Sequence, residues 1–245
     1  MEIIAHRGAS YDAPENTLAA LKLAWEQQAD AAEVDVHLSK DGEIVVAHDY
    51  DLRKTAGLRR KLAALRYDEL RKFDVGAWKH KRWRGERMPL LSEVIATVPS
   101  GKRLFIEVKC GPEFVAAFER IRKDWATREK DLIVIGFSLD CMREVKRTFP
   151  KVEVCWIVEF RRSLRTGRWR PGKKEALATA LDAGLDGLDL GAKGPITADW
   201  IAEGKRAGLK FYVWTVDDPK LARKLAEAGI DGVTTNRPGW LRAQL

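Results

Sequence analysis

Glu33 and Asp35 stand in an apolar run, AAEVDVHL at 31 to 38. In an extended chain, side chains alternate between faces, so these two carboxylates project one way while Val34 and Val36 project the other. A run of this kind reads as a strand covered on both faces, where two acids are costly unless something cationic meets them. A second run, RLFIEVK at 103 to 109, repeats the arrangement with Glu107 and Lys109 on one face near its carboxyl end. If the two runs are neighbours in a sheet, Glu107 joins Glu33 and Asp35 as a third carboxylate, and Lys109 lies above them to meet an anion. One reading of such a cluster is a buried network with lysine or arginine. The other is a bound divalent ion, and three carboxylate oxygens without a nearby cysteine favour a hard one, Mg²⁺ or Ca²⁺, over zinc.

The histidines tip the balance toward the metal. The chain has four. His6 closes the first apolar run and is followed by Arg7 and Gly8, where the strand passes into a loop; His48 follows the extended run 43 to 47. Both emerge beside the proposed carboxylates. Two imidazoles flanking a metal and a phosphate can act as general acid and general base near neutral pH. His37, at the end of the second strand, reads equally well as a bystander, and His80 as a surface residue. Asp49, directly after His48, either orients an imidazole or begins a turn.

These residues need a frame that brings strand ends together. Short apolar runs alternate with amphipathic stretches along the whole chain, the pattern of βα units around a parallel sheet. Eight runs read as strands: 2 to 6, 31 to 38, 103 to 109, 131 to 137, 152 to 158, 185 to 190, 209 to 216 and 231 to 235. Eight is the number that closes a TIM (β/α)8 barrel, and 245 residues without any linker-like tract fit one such α/β domain spanning 1-245. Gly184, Gly208 and Gly229 each sit between a helical stretch and a strand and read as helix stops. The second unit breaks the rhythm. After a turn at Asp41-Gly42 and the run 43 to 47, about forty residues pass before PLLSEVIATV supplies the expected helix. That excursion, at about 49-90, predicts a small insertion after the second strand, with a helical piece around Tyr67 to Phe73. On a barrel it lies over the face where active sites occur.

Composition narrows the partners. Lys and Arg outnumber Asp and Glu by 44 to 36, a net charge of +8 that favours anionic partners without choosing among them. Cys110, Cys141 and Cys155 are odd in number and lack CxxC spacing, which argues against a disulfide framework or a thiolate zinc site. No window approaches the roughly 18 apolar residues of a spanning helix, and the amino terminus lacks a secretory pattern. A cytoplasmic, water-soluble protein is expected.

The segments AHRGASYDAPENT, EVDVHLSKDGEIVVAHD, FIEVK, VWTVDD and DGVTTNRP, in this order across nearly the whole chain, resemble the glycerophosphodiester phosphodiesterase family. HRG with PENT, E-x-D, HD and E-x-K form a highly specific set together, although each alone is weak. The resemblance implies a TIM barrel with a small insert after its second strand, a divalent ion, and hydrolysis of deacylated phospholipids to glycerol 3-phosphate and an alcohol. Carried onto this sequence, it implies metal ligands at Glu33, Asp35 and Glu107, catalytic histidines at His6 and His48, and phosphate-binding cations at Arg7 and Lys109. Trp214, ending the seventh strand, is a candidate wall for the glycerol pocket. Glu15 and Asn16 are expected to hold the first loop, with Asn16 or Thr17 capping its helix. Two departures from the family pattern, Gly136-Phe137-Ser138 where Ser-Phe is usual and Asp217 where Asn is usual, are expected at the substrate rim.

The implied partner is a small-molecule anionic phosphodiester, with no nucleic acid and no stable membrane insertion. A nearer alternative keeps the chemistry and takes lysophospholipids, with Trp78, Trp83 and Met88 lining an acyl channel. A remote one is a non-enzymatic module gripping anionic membrane or nucleic acid. It would use the basic stretches 79 to 87 and 161 to 174, whose Trp83 and Trp169 could stack on bases or seat in a lipid interface.

Overall fold

The computed structural model describes residues Met1 to Leu245. Eight parallel strands form the frame: β1 (Glu2–His6), β2 (Ala31–Leu38), β3 (Arg103–Val108), β4 (Leu132–Gly136), β5 (Glu153–Val158), β6 (Gly187–Gly191), β7 (Lys210–Trp214) and β8 (Gly232–Thr235). Each pairs with the next, and β8 returns to β1 in the register Ile3↔Val233 and Ala5↔Thr235, so the sheet is a closed barrel. Helices between the strands cover its outside. This is the TIM barrel that the alternating runs predict. Strand ends shift by a residue or two where an apolar run continues into a turn: Leu209 and Val216 flank β7, remain buried, and lie outside the ladder.

Alternation sorts the side chains. On β2, Val34 and Val36 face outward into the apolar layer beneath the helices, with Leu104, Ile106 and Val108 of β3 beside them. Inward, the barrel is filled in tiers. The amino-terminal end is plugged by Arg103, which donates to Glu2 at 2.9 Å, to Glu153 at 2.6 Å and to the Tyr212 hydroxyl at 3.2 Å. Above it lies an apolar tier that includes Ile4, Phe105, Ile133 and Cys155. Above that, at the carboxyl ends of the strands, the interior turns polar.

After β2 the chain makes a hairpin, Ile44–Val46 pairing antiparallel with β2, and then a run of short turns and helices before the helix Leu91–Thr97. One of these pieces is the helix Tyr67–Leu70. Their apolar side chains, Leu52, Leu62, Leu65, Leu70, Val75 and Met88, form a small core of their own with Val45. After β5, Arg161–Arg162 and Trp169–Arg170 pair as a two-stranded ribbon. The half-buried Trp169 ring packs edge-on against Phe160 at 6.5 Å.

The turn out of β1 explains the His-Arg-Gly run. Arg7 and Gly8 both have positive φ, 57° and 78°, which reverses the chain so that His6 and Arg7 overhang the barrel mouth. A Cβ at Gly8 would lie 2.6 Å from the backbone carbon of Ala20 in the following helix, Leu18–Glu26. Gly8→Ala should therefore cost about 2 to 5 kcal/mol, combining left-handed strain with overpacking, read as a lowered midpoint in urea unfolding.

Candidate active site

Glu33 and Asp35 reach the barrel mouth from β2, and the register Asp35↔Glu107 sets the β3 acid beside them. Oxygens of the three carboxylates lie within 4.8 Å of one another. All three are largely withdrawn from water, and the surroundings treat them differently. Burial pushes Asp35 up, but Lys109 and Arg7 more than reverse this and hold its carboxyl at about 2. Lys109 Nζ stands 3.1 Å from Asp35 Oδ1, Arg7 Nε stands 3.2 Å from Oδ2, and Asn16 Nδ2 donates to Oδ2 at 2.8 Å. Glu107 is pushed up to about 7 by burial and by Asp35, despite a hydrogen bond from Lys109. Glu33 is pushed well above the carboxylate range by burial, Asp35 and Glu107.

Both readings of the acid cluster are thus present in part. Arg7 and Lys109 do enter it, yet two cations do not satisfy three acids. Glu33 accepts a backbone hydrogen bond from Arg7 at Oε2, while its Oε1 is buried without a partner. A converging set of hard oxygens, one of them orphaned, fits a divalent ion of the Mg²⁺ or Ca²⁺ kind. Cys155, the nearest thiol in the barrel, belongs to the apolar tier below.

The loop after β1 braces this cluster from above. Glu15 accepts from Arg7 Nη1 at 3.1 Å and from Lys54 of the excursion at 2.7 Å. Asn16 grips Asp35 twice, through Nδ2 and through the Asp35 backbone N–H. Thr17 is the helix cap, accepting from the Ala20 N–H at 3.2 Å. Glu15 and Asn16 therefore hold the loop and also hold the site.

His6 and His48 face the same cavity, of about 150 Å³, together with Arg7, Glu33, Glu107 and Lys109. Each imidazole is oriented from behind through Nδ1. His6 is 2.8 Å from Asn236 Oδ1; because that oxygen also accepts from Ser10, the histidine nitrogen carries the hydrogen, which leaves Nε2 with its lone pair. Burial and the neighbouring Arg7 push His6 down to about 4, so the ring is neutral at pH 7. His48 Nδ1 is 2.8 Å from Asp49 Oδ1, so Asp49 orients this imidazole. His37 supports the same loop, with Nε2 3.1 Å from the His48 carbonyl. His80 is exposed and caps the turn Lys81–Trp83.

The remaining wall is apolar: Ile135, Phe137, Ile157 and Trp214. Trp214 lines the cavity, and Phe137 meets it edge-to-face at 6.0 Å. Of the Gly136-Phe137-Ser138 stretch, Phe137 lines the cavity and Ser138 caps the helix Leu139–Thr148. Asp217 is exposed and does not line the cavity itself. It accepts from the Asn236 backbone N–H at 2.8 Å, from Asn236 Nδ2 at 2.6 Å and from Thr235 Oγ1 at 2.8 Å, so it fixes the amide that orients His6. Trp78, Trp83 and Met88 are absent from this cavity; Met88 is 2% exposed, within the core of the excursion.

Two residues lay outside the sequence expectations. Asn236 follows β8, the strand beside β1, but nothing about an asparagine after a strand marks it as a histidine's partner. Asp189 on β6 was findable, because an acid between Leu188 and Leu190 repeats the alternation that singled out Glu33 and Asp35.

Comparison with known proteins agrees with this geometry. The sequence model of the Glycerophosphoryl diester phosphodiesterase family matches residues 6–240. The glycerophosphodiester phosphodiesterase of Caldanaerobacter subterraneus subsp. tengcongensis is 30% identical over 247 residues, covering 96% of this chain and 94% of that protein. A phosphodiesterase of Oleispira antarctica, solved in complex with the product sn-glycerol-3-phosphate, superposes with a TM-score of 0.87 at 28% identity, over 100% of this chain and 96% of that one. The Thermotoga maritima glycerophosphodiester phosphodiesterase superposes at 0.79 with 26% identity, over 100% and 98%. Matched over residues 6–240 by the family model and 30% identical to a relative along almost its whole length, this chain belongs to the glycerophosphodiester phosphodiesterase family.

Proposed function

We propose that this chain hydrolyses glycerophosphodiesters to glycerol 3-phosphate and an alcohol. In this reading a divalent ion is held by Glu33, Asp35 and Glu107, and His6 and His48 exchange the protons. The observation that carries the proposal is one cavity faced by two separately oriented imidazoles and a carboxylate trio with an unpartnered oxygen. Family membership and the glycerol 3-phosphate bound in the Oleispira relative support the substrate class.

The roles follow from the charges. Arg7 and Lys109 meet the non-bridging oxygens of the phosphate and stabilise the charge that grows as phosphorus becomes five-coordinate. Lys109 is available for this once the acids it now pairs with are otherwise compensated. His6, neutral with Nε2 free, takes the proton from the attacking hydroxyl, whether that of water or of the substrate's own glycerol. His48, with Asp49 behind it, gives a proton to the departing alcohol as its P–O bond breaks. Where the attacker is the glycerol hydroxyl, a cyclic phosphate results; water then adds to phosphorus, its proton taken up and the ring P–O bond broken as the glycerol oxygen is reprotonated, to give glycerol 3-phosphate. The ion, when bound, supplies charge neutralisation and orientation at the phosphate. Trp214 walls the glycerol end. The lysophospholipid reading has less support, since the excursion contributes no apolar channel to the cavity.

Choline release from glycerophosphocholine should exceed that from lysophosphatidylcholine and stop with chelator; equal release from both, or indifference to chelator, removes the reading. His6→Ala and His48→Ala should each lower turnover by about a hundredfold or more with little change in thermal midpoint. Near wild-type rates in both variants would refute the acid/base assignment.

Ion binding should also be proton-linked. A Glu107 carboxyl raised to about 7 is protonated below that pH and must lose its proton to act as a ligand. Apparent Mg²⁺ affinity should therefore rise as pH is raised through about 7, and Glu33, also held up by burial and its acidic neighbours, adds to the rise in the same direction. Calorimetry in two buffers of different ionisation enthalpy should show net proton release at pH 6.

A further inference from the structure

The cavity has two unlike sides. Arg7, Lys109 and the three carboxylates occupy one; Ile135, Phe137, Ile157 and Trp214 make the other. A single acid interrupts the apolar side. Asp189 on β6 is 3% exposed and lines the cavity. Its neighbours Leu188 and Leu190 face the outer apolar layer, so alternation points Asp189 inward.

Nothing in the protein answers this carboxyl. Its Oδ1 is buried without a hydrogen-bond partner, and the charge that acts on it is another acid, Glu107. Trp214 Nε1, one strand away on β7, is also buried without a partner. The inward positions on either side of Asp189 are glycines. At Gly187 a Cβ would meet Cys155 Sγ at 3.0 Å, so that space is filled from below. At Gly191, on the side of the mouth, it would meet nothing closer than the Val158 carbonyl at 3.7 Å. Packing does not demand a glycine there, and Gly191 faces a neighbouring hollow that shares Trp214 with the cavity.

A partnerless carboxyl on an apolar wall suits a neutral group that both donates and accepts a hydrogen bond, which is a hydroxyl. An anionic phosphate does not suit it, and the phosphate has its cations on the opposite side. We propose that Asp189 recognises a free hydroxyl on the glycerol portion of the diester and so fixes which end of the substrate enters the barrel. The inference rests on the glycerophosphodiester reading above and adds to it the residue that selects the glycerol.

The test compares the wild type with Asp189→Leu and Asp189→Asn at saturating Mg²⁺. The substrates are glycerophosphocholine and its two mono-deoxy counterparts, each lacking one glycerol hydroxyl. Asp189→Leu should lose about tenfold to a hundredfold in kcat/KM on glycerophosphocholine, the size of one lost hydrogen bond to a buried partner. On one of the two deoxy substrates that loss should vanish. Asp189→Asn should keep most of the wild-type preference. The thermal midpoint of Asp189→Leu should equal or exceed that of the wild type, since an unpartnered buried acid is removed, and Mg²⁺ affinity by calorimetry should be unchanged. An equal loss on all three substrates would assign Asp189 a structural role, and weakened Mg²⁺ binding would make it a metal ligand; either overturns the proposal. If Asp189→Leu does not fold, Asp189→Ala takes its place under the same criteria. A wild type inactive on glycerophosphocholine refutes the underlying function, whereas an active wild type whose Leu variant keeps the full hydroxyl preference refutes this inference alone.

Discussion

Everything at the barrel mouth answers to one constraint: three carboxylates share a space too small and too dry for three negative charges. Isolated ionised acids in such a place would cost many kcal/mol, and proteins avoid this by pairing, protonation or metal binding. Here all three responses are visible. Asp35 is paired with Arg7 and Lys109 and stays ionised; Glu107 and Glu33 are held above the usual carboxylate range. The cluster therefore fits the divalent ion proposed above, which would replace protons and ammonium contacts among the acids.

The surrounding architecture serves the same cluster. The left-handed turn at Arg7 and Gly8 places a guanidinium and a backbone N–H over Asp35 and Glu33. The Pro-Glu-Asn-Thr run assigns one task to each of its last three residues: Glu15 holds Arg7, Asn16 clamps Asp35, and Thr17 starts the helix against which Gly8 packs. After the adjoining strands β7 and β8, Asp217 fixes Asn236, which fixes His6. Each imidazole is thus set by a different partner, an amide for His6 and a carboxylate for His48, within one cavity.

Much of this was legible in the sequence. Period-two alternation marks Glu33, Asp35 and Glu107 as inward because β2 and β3 are buried on both faces, where an acid stands out against valine and isoleucine. Eight apolar runs gave the barrel, because βα units leave a strong local signal. The positions of His6 and His48 followed from the strands they terminate. What stayed hidden depends on contacts between residues far apart in the chain. Asn236 meets His6 across 230 positions, and no local pattern announces an amide as a histidine's support. Asp217, a departure from the family pattern, meets Asn236 through a contact across 19 positions that no local pattern announces. Met88 is buried in packing, which a pattern of residue types does not distinguish from exposure.

At the other end of the barrel, Arg103 ties Glu2, Glu153 and Tyr212 into a plug, with an apolar tier sealed above it. The catalytic chamber is therefore a cul-de-sac. Under the function proposed above, with the glycerol end deepest, both fragments of a diester must leave by the passage it came by, and the inner, phosphorylated polyol must wait for the outer alcohol to clear.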